Sequence, residues 1–315
     1  MPTVYLHIGR AKTGTTAIQN YMSAHRATLL ARDVHYVYAD DCGAGHGHQT
    51  FAKSFIKELP SYMVPPHDPD TIRQQVGSEI REATAQTIVL SSENFTLAHI
   101  PDVHAFFDRH PVSFDIKIIL FARSQDELVE SQYNQMVKLK RERRPFLEYV
   151  ETEIETYDFM HWARQWSRHF GDENIICRLF DNSSGDSITQ FLSCFSDVDP
   201  TLDSAFSDPA SERPRNPSVG FKALSVARLL NTVEMNDREL VYQAIFERFA
   251  NHDLPALFFN SDTAREFRSR FAESNLAFTE RYFDRAQSDL GGRRYTDDER
   301  DQIREEIDSI LLLSI

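Results

Sequence analysis

Three groups of polar residues in this sequence have the types and positions of a site that binds anionic groups and moves a proton. The first group follows an apolar run at 4–8 and contains Gly9 and Gly14, with Lys12 between them. A strand, a short glycine-containing loop and a helix together form a phosphate cradle, because the first backbone N–H groups of a helix point at the anion. The glycines have the spacing of the loop G-x-x-x-x-G-K-S/T, but the lysine stands two residues before the second glycine and Thr15 takes its usual place. The shifted lysine predicts a nucleotide whose chemistry differs from ordinary ATP hydrolysis.

In this loop, the backbone N–H groups of 13–16 are expected to point at one anionic group, with the hydroxyls of Thr15 and Thr16 beside it. Lys12 would supply a compact, charged donor beyond that group. The alternative interpretation is a tight strand-to-helix turn that carries an exposed lysine.

The second group is an arginine at a strand end and a serine two turns into the next helix. Arg123 ends an apolar run, Ser124 with Glu127 predicts a capping box that starts a helix, and Ser131 follows in that helix. Helical side chains lean toward the N-terminus, so the Ser131 hydroxyl could face the same anion as Arg123 and form a phosphate fork with it. The alternative is an arginine paired with a surface carboxylate and a serine that faces solvent.

The third group is Glu93, which follows an apolar run at 87–90 and two serines. In a parallel sheet the ligand lies outside the carboxyl ends of the strands. A metal-binding version of this strand more often ends in Asp, so Glu93 fits a general base better than a magnesium ligand; the alternative is a loop carboxylate that caps the following helix. We expect the loop at 9–16, the pair Arg123 and Ser131, and Glu93 at the same end of the sheet, as one site with two anionic groups and a base.

Short β-rich runs alternate with helical patterns in the first half of the chain, which predicts a parallel sheet with helices on both faces. The strands are predicted at 3–8, 34–38, 87–90, 115–121 and 174–178. Helical patterns begin near Gly14, Gln49, Asp70, Asp102 and Gln125, continue as a pair at 146–170, and return at 221–230, 238–249, 261–286 and 296–313.

The expected fold class is α/β, with a P-loop-type parallel sheet flanked by helices and a helical C-terminal extension. Residues 1–195 are expected to form a P-loop-like nucleotide-binding core. Residues 196–218, rich in Asp, Pro, Ser and Arg, are expected to form a loop or lid. Residues 219–315 are expected to form a helical extension packed on the core, within a single structural domain.

The composition narrows the class of protein. The formal net charge of −14 over 315 residues argues against nonspecific nucleic-acid binding, which needs a basic surface. Cys42, Cys177 and Cys194 include no C-x-x-C pair, which favours reduced thiols. A strand is predicted to begin almost at Met1, which leaves no room for the charged region and apolar core of a signal peptide. No apolar run reaches the roughly 18 residues that span a bilayer. We therefore expect a cytoplasmic protein without a transmembrane segment.

The three groups together resemble the sulfotransferases that use 3′-phosphoadenosine 5′-phosphosulfate (PAPS), particularly the bacterial and Golgi carbohydrate-type enzymes. The shifted lysine of the loop 7–16 is typical of that family, and so is an arginine at a strand end with a serine eight residues on, here Arg123 and Ser131. Ser91-Ser92-Glu93 is similar to the branch that uses glutamate as base. The resemblance is specific across 3–22 and 115–138 and looser around 87–95. The glycine-rich, lysine-bearing loop that closes over the nucleotide in cytosolic members is not evident.

The resemblance implies a sulfuryl transfer from PAPS to an acceptor hydroxyl, without a metal. In it, Glu93 takes the proton of the hydroxyl and Lys12 stabilises the charge that builds on the bridging oxygen of the departing nucleotide. The residues implied to bind the donor are Arg10, Lys12, Thr13, Gly14, Thr15, Thr16, Arg123 and Ser131. The acceptor implied is a carbohydrate or glycoconjugate (a glycan, a glycolipid or a small molecule).

Two further features leave alternatives open. His46 and His48 favour either a flexible loop or contacts with the acceptor, and are a weak metal signal because no cysteine or carboxylate cluster accompanies them. The basic run at 138–144 is either a solvated helix end or a contact with an anionic acceptor. Trp162 and Trp166, four residues apart in a helical pattern, are expected in the core.

Two other functions compete with sulfuryl transfer. A Mg²⁺-dependent P-loop small-molecule kinase would need metal ligands and a lysine directly after Gly14, where Thr15 stands. A catalytically silent nucleotide-binding protein would be expected to have lost Lys12 or Glu93.

Overall fold

The structure is a computed structural model, and the residues it describes are 1–10, 12–38, 46–61, 63–180, 187–195, 219–249 and 258–291. Five parallel strands form one sheet in the order β2-β3-β1-β4-β5. Their bounds are Thr3–His7 (β1), Val34–Tyr36 (β2), Thr87–Ser91 (β3), Asp115–Ala122 (β4) and Ile175–Leu179 (β5). The five strands predicted from apolar runs are confirmed to within two residues at each end, and so is the α/β fold class.

Helices connect the strands and follow the last of them. In the first part of the chain they are Thr15–Ala24 (α1), Arg26–Leu30 (α2), Gln49–Lys53 (α3), Pro69–Glu82 (α4), Ile100–Asp108 (α5), Gln125–Lys138 (α6), Phe146–Glu153 (α7), Phe159–Phe170 (α8) and Ser187–Leu192 (α9). The later helices are Phe221–Leu230 (α10), Arg238–Phe249 (α11), Ser261–Ser269 (α12) and Ala272–Phe283 (α13). Short 3₁₀ turns lie between some of these elements, and one of them, Glu93–Leu97, follows β3 and begins at the candidate base.

The central strands are buried because helices cover both faces of the sheet. On one face, α1, α2 and α9 pack side chains such as Ile18, Leu29 and Phe191 against Tyr5 and Phe121 of the strands. On the β4–β5 side, α8 packs against both strands. The strands are thereby held by packed helices, and the loops that follow β1 and β3 begin at the carboxyl edge of the sheet.

The order of the strands places the candidate site at one edge. β1 pairs with β3 on one side and with β4 on the other, with His7 opposite both Ser91 and Ile119. The chain leaves β1 toward β2 and leaves β4 toward β5, so the strand order reverses between β1 and β4. Ligands of open parallel sheets bind outside the carboxyl ends of the strands at such a reversal.

The chain divides into two compact units. The first consists of 1–122, 159–213 and 280–285 and contains the whole sheet; the second consists of 123–158, 214–279 and 286–315. Residues 123–158, expected as part of an N-terminal core, therefore group with the C-terminal helices. Within the second unit, α6 packs against α10 and α12.

Some predicted elements differ from the structure or fall beyond it. The helical pattern at 261–286 is two helices, α12 and α13, separated at Arg270 and Phe271. The predicted lid at 196–218 and the predicted helix at 296–313 lie outside the described residues. Within the described part of the chain, no helix combines the length and the apolar character needed to cross a bilayer.

Candidate active site

The loop that follows β1 has the backbone of an anion cradle. Ile8 continues the sheet by donating its N–H to the carbonyl of Ile119, and α1 begins at Thr15 with Gly14 as its N-cap. Gly14 has φ of +82°, and Lys12 has φ of +73°. Left-handed backbone at a lysine costs free energy and is concentrated at functional sites. The turn therefore holds Lys12 in an unfavourable conformation directly before the positive end of a helix.

The threonine hydroxyls of the loop have separate roles. Thr13 is fully buried and donates to the carbonyl of Arg10 at 2.6 Å, and Thr15 donates to the same carbonyl at 3.3 Å. These two hydroxyls tie the loop to itself, whereas the sequence predicted Thr15 beside the anion. Thr16 is exposed at the start of α1.

Arg10 is buried under the ring of a tryptophan. Its guanidinium lies 5.3 Å from the ring centroid of Trp162, and the residue is 7% exposed. A guanidinium at that distance from an aromatic face gains a cation–π attraction that is strengthened by desolvation. Trp166 is fully buried, as predicted for both tryptophans, whereas Trp162 is half-buried and covers Arg10.

Glu93 lies at the end of β3, on the same sheet edge as the loop after β1. Ser92 donates its backbone N–H to the carbonyl of His7 at 3.0 Å, which connects the ends of β3 and β1 directly. The Glu93 side chain is half-buried, and its Oε2 accepts from the amide groups of Gln49 at 3.0 Å and Gln19 at 3.3 Å. Its Oε1 makes no hydrogen bond to any described residue. The two amides therefore anchor one oxygen of the carboxylate and leave the other without a partner among the described residues.

The two glutamines were not identified from the sequence. Gln19 lies one turn after Thr15 on α1, and Gln49 is the first residue of α3. A glutamine side chain does not by itself indicate a catalytic or binding role, so these two residues could have been identified only from their positions in the sequence. Gln19 shares a face of α1 with Thr15, because residues four apart stack on a helix, and Gln49 directly follows the run that contains His46 and His48.

His48 is a structural bridge in this arrangement. Its Nδ1 accepts the Ser91 N–H at 2.9 Å, and its Nε2 lies 3.0 Å from the carbonyl of Val37, to which it donates. Burial lowers its pKa to about 4, so the ring is neutral at pH 7. Both ring nitrogens are occupied by backbone groups, and the predicted acceptor contact of His48 is therefore replaced by a role in fixing the segment before α3.

His46 and His7 differ in exposure. His46 is exposed, and its Nδ1 lies 3.2 Å from the hydroxyl of Ser23. His7 is fully buried at the end of β1, where its Nδ1 lies 2.8 Å from the hydroxyl of Ser91. Burial lowers the pKa of His7 to about 3. His7 therefore links β1 to β3 as a neutral ring beneath the loop.

In the second unit, Arg123 is paired with a carboxylate of α6, the helix that follows it. Its Nε and Nη2 donate to Oε2 of Glu127 at 3.1 and 2.9 Å, one turn further on. Ser131 lies two turns into α6 and is half-buried. Glu127 thus holds the guanidinium in a fixed orientation. The alternative interpretation of the sequence expected a carboxylate partner of this kind for Arg123.

The predicted capping box at the start of α6 is wrong. Ser124 is the N-cap residue, but its side chain accepts no backbone N–H of the helix. Its hydroxyl donates instead to Asp126 and lies 2.5 Å from the carbonyl of Gly291, while Glu127 is engaged by Arg123. Contacts that the motif does not include, one of them to the distant Gly291, have replaced the box.

The basic run at 138–144 is largely tied to its own unit. Glu142 is buried and accepts from the guanidinium of Arg144 at 2.6 and 2.9 Å. Lys140 pairs with Glu239 of α11. Asn231 donates to the carbonyl of Glu142 at 2.7 Å. These contacts favour the structural interpretation of the run over an acceptor site, although Arg141 and Arg143 are exposed.

Other candidate features lie apart from these groups. Cys177 and Cys194 are buried free thiols, and burial raises the pKa of both, that of Cys194 to about 11; Cys42 lies outside the described residues. No three His, Cys, Asp or Glu side chains of the described segments are grouped as a metal site. An open groove of about 600 Å³ is lined by residues of β2 and α4 and the residue after it, namely His35, Thr71, Gln74, Gln75, Ser78, Glu79, Glu82 and Ala83. None of them belongs to the loop after β1 or to the end of β3, so we give the chemistry of those two segments more weight than this groove.

Comparison with known proteins finds one similar solved structure. No protein-family model matches the chain, and no curated protein matches it. The similar solved structure is the crystal structure of a sulfotransferase from Alicyclobacillus acidocaldarius. The two sequences are 17% identical, and the alignment covers 84% of this chain and 99% of the sulfotransferase chain, with a TM-score of 0.44. At this identity and TM-score, the function has to be argued from the residues of this chain.

Proposed function

We propose that this chain is a sulfotransferase that moves a sulfuryl group from PAPS to an acceptor hydroxyl. The observation that carries the proposal is the position of Glu93. Its carboxylate is anchored through one oxygen at the end of β3, and the lysine-bearing loop begins at the neighbouring end of β1. A base and an anion cradle at one sheet edge are the two parts that a transfer from an anionic donor to a hydroxyl requires.

The donor's 5′-phosphosulfate is assigned to the loop. The first N–H groups of α1 and the positive end of its dipole favour an anion there. Lys12 adds a full positive charge, while the backbone carbonyl of Arg10 accepts from Thr13 and the Arg10 guanidinium packs on Trp162. In the second unit, Arg123 and Ser131 are assigned to the 3′-phosphate on the strength of their spacing, with Glu127 orienting the guanidinium.

The reaction proceeds in one displacement. The acceptor hydroxyl gives its proton to Oε1 of Glu93 while its oxygen forms a bond to sulfur. The bond between sulfur and the bridging oxygen breaks, and that oxygen leaves with the electron pair as part of 3′,5′-adenosine bisphosphate. Lys12 stabilises the charge on the leaving oxygen. Because a sulfuryl group carries less negative charge than a phosphoryl group, a lysine suffices where phosphoryl transfer uses Mg²⁺.

The acceptor is proposed to be a sugar hydroxyl of a glycan, a glycolipid or a small glycoside. The support is the glutamate base, which the sequence shares with the carbohydrate-type enzymes it resembles. Neither His48, whose ring nitrogens are both engaged, nor the tied part of the basic run is assigned to the acceptor. The exposed His46 stays a proposed contact at the rim.

A thermal-shift titration tests the donor class. A ligand that binds only the folded state stabilises it by RT ln(1 + [L]/Kd), about 2.7 kcal/mol at one hundred times Kd. We expect 3′,5′-adenosine bisphosphate to raise Tm without Mg²⁺, and ADP and ATP to do so far less. Stabilisation by ATP that depends on Mg²⁺ would instead favour a kinase. Bisphosphate binding without transfer to any acceptor or to water would favour a catalytically silent nucleotide-binding protein.

A further inference from the structure

The base is held by two amide side chains whose orientation is fixed. Oε1 of Gln49 accepts from the hydroxyl of Ser92 at 2.5 Å and from the amide of Asn94 at 3.0 Å. Its Nε2 donates to Oε2 of Glu93 at 3.0 Å. Turning the amide over would place two acceptors, a carbonyl oxygen and a carboxylate oxygen, against each other. Gln49 therefore presents a donor to Glu93 in one orientation only.

Gln19 completes the arrangement from the helix that begins at the candidate phosphate cradle. Its Nε2 lies 3.3 Å from Oε2 of Glu93 and 3.3 Å from the carbonyl of Ser91. Its Oε1 accepts from Gln49 at 3.4 Å. Gln19 thus connects α1, which starts at Gly14, to the end of β3, where Glu93 stands.

Gly47 leaves the space in which the Gln19 amide lies. A Cβ added at Gly47 would come within 2.4 Å of the Gln19 carboxamide carbon and 2.6 Å of its nitrogen. The obstruction would be the far end of a flexible side chain and no backbone, so the amide could move aside while the fold stayed intact. The missing side chain at Gly47 therefore allows the Gln19 amide to lie where it does. The backbone at Gly47 is held in place by the neighbouring His48.

We propose that Gln19 and Gln49 are positioning residues that fix Oε2 of Glu93 and leave Oε1 facing the acceptor hydroxyl. The proposal rests on the proposed function, since it concerns the base of that reaction. Both glutamines act on Oε2, so the carboxylate plane is set before the acceptor binds. A base whose geometry is set in advance avoids reorganisation in the transition state. Through Gln19, the same helix orients both the donor's anion and the base.

The test compares three variants in sulfuryl transfer from ³⁵S-labelled PAPS. The acceptors are a panel of 4-nitrophenyl glycosides, and release of labelled sulfate to water serves as the acceptor-independent reaction. Gln49→Met removes the amide at constant length, and Gly47→Ala displaces the Gln19 amide while leaving both glutamines in the chain. Gln165→Met is the matched control, because Gln165 is also half-buried in the first unit but, among the described residues, bonds only to His161.

We expect Gln49→Met and Gly47→Ala each to lower kcat by about 10- to 100-fold, the cost of a misplaced catalytic group. KM for PAPS and the Tm shift with 3′,5′-adenosine bisphosphate should stay as in the unsubstituted protein, and Gln165→Met should leave kcat unchanged. In a Glu93→Gln background, Gln49→Met should cause no further loss, because a residue that acts through Glu93 has nothing left to position.

Two results would overturn the proposal. One is unchanged kcat in Gly47→Ala, which keeps the test valid even if Gln49→Met fails to fold. The other is a Gln49→Met loss of equal size with and without Glu93. Failure of the proposed function itself has a different signature, in which the unsubstituted protein neither transfers the label nor is stabilised by the bisphosphate, and both proposals then fall together.

Discussion

Lys12 has left-handed backbone and lies three residues before Thr15, the first residue of α1. A lysine gains nothing from that conformation, which costs about 1 kcal/mol or more for a residue with a Cβ. The strain is consistent with a side chain whose position matters more than the local stability of the loop. The backbone conformation of Lys12 is therefore a second observation, beside its position in the sequence, that favours a functional role.

Lys12→Ala should lower kcat for sulfuryl transfer by about 10²–10³-fold, the usual cost of losing a preorganised charge donor. Alanine carries a Cβ like lysine, so the backbone strain stays and the loss reports the ammonium group. Single-turnover kinetics with labelled PAPS measure it. Lys57→Ala removes a cation from an exposed position in the same unit and should leave the rate unchanged.

Glu93→Gln should lower turnover by about 10²–10⁴-fold, the range that a positioned general base contributes. Stabilisation by 3′,5′-adenosine bisphosphate should persist, because the nucleotide is assigned to other residues. Glu82→Gln, an exposed glutamate of α4, is the control. Retention of most of the turnover in Glu93→Gln would remove Glu93 from the mechanism.

Arg123→Ala should weaken donor binding and abolish the preference for 3′,5′-adenosine bisphosphate over AMP. A charge-assisted hydrogen bond contributes roughly 1.5–3 kcal/mol, which is about 10- to 150-fold in Kd. Isothermal titration with both nucleotides measures the preference. Arg109→Ala, at the end of α5, is the control. An unchanged preference would contradict the assignment of the 3′-phosphate to Arg123.

At the scale of elements, the start of α1 depends on a glycine that accepts no side chain. Gly14 has φ of +82°, and an added Cβ would lie 2.6 Å from the Cβ of Ser187, the first residue of α9. Both the conformation and the close approach exclude larger residues there. The loop is thus held between two helices of the first unit.

Gly14→Ala should lower the free energy of unfolding by about 1–2 kcal/mol from the backbone alone, with the clash at Ser187 adding to it. It should also weaken stabilisation by the bisphosphate, because α1 would start in a different place. Urea unfolding with and without nucleotide measures both. Gly291→Ala is an informative comparison, since Gly291 has φ of +86° but no atom of the described residues lies within 4 Å of an added Cβ, so the conformational cost dominates. Equal stability in Gly14→Ala and the unsubstituted protein would contradict this account of the turn.

The elements themselves were largely predictable, for a physical reason. Buried parallel strands require continuous apolar runs, and runs such as 87–90 and 115–121 are short and rich in β-branched residues, which favours a strand over a buried helix. Interactions between distant residues were not predictable in the same way. The hydroxyl of Ser124 bonds to Gly291, and His48 bonds to Val37 and Ser91, and neither partner is indicated by a local pattern. The glutamines that bind Glu93 were missed for the same reason, because no local pattern indicates that either of them contacts Glu93.

At the scale of the whole molecule, two buried histidines make stability depend on pH. Burial lowers the pKa of His7 to about 3 and that of His48 to about 4, whereas the unfolded chain titrates each near 6.5. Between these values the unfolded state binds more protons, so stability falls as the pH drops below about 6.5. Each histidine contributes a slope of about 1.4 kcal/mol per pH unit in that range.

The free energy of unfolding, measured in urea at pH 7, 6 and 5, should therefore decrease as the pH is lowered. This range lies above the pH at which ordinary carboxylates titrate. His48→Gln should flatten the decline by about 1.4 kcal/mol per pH unit or less. His46→Gln, at an exposed position, is the control. The same slope in His48→Gln as in the unsubstituted protein would contradict the buried, neutral state of this ring.

The most direct test of the central claim is a crystal structure of the protein with 3′,5′-adenosine bisphosphate bound. We expect the 5′-phosphate to lie at the first turn of α1, with Nζ of Lys12 about 3 Å from one of its oxygens. A nucleotide bound elsewhere, or an ammonium group of Lys12 that points into bulk water away from the 5′ end, would contradict the account.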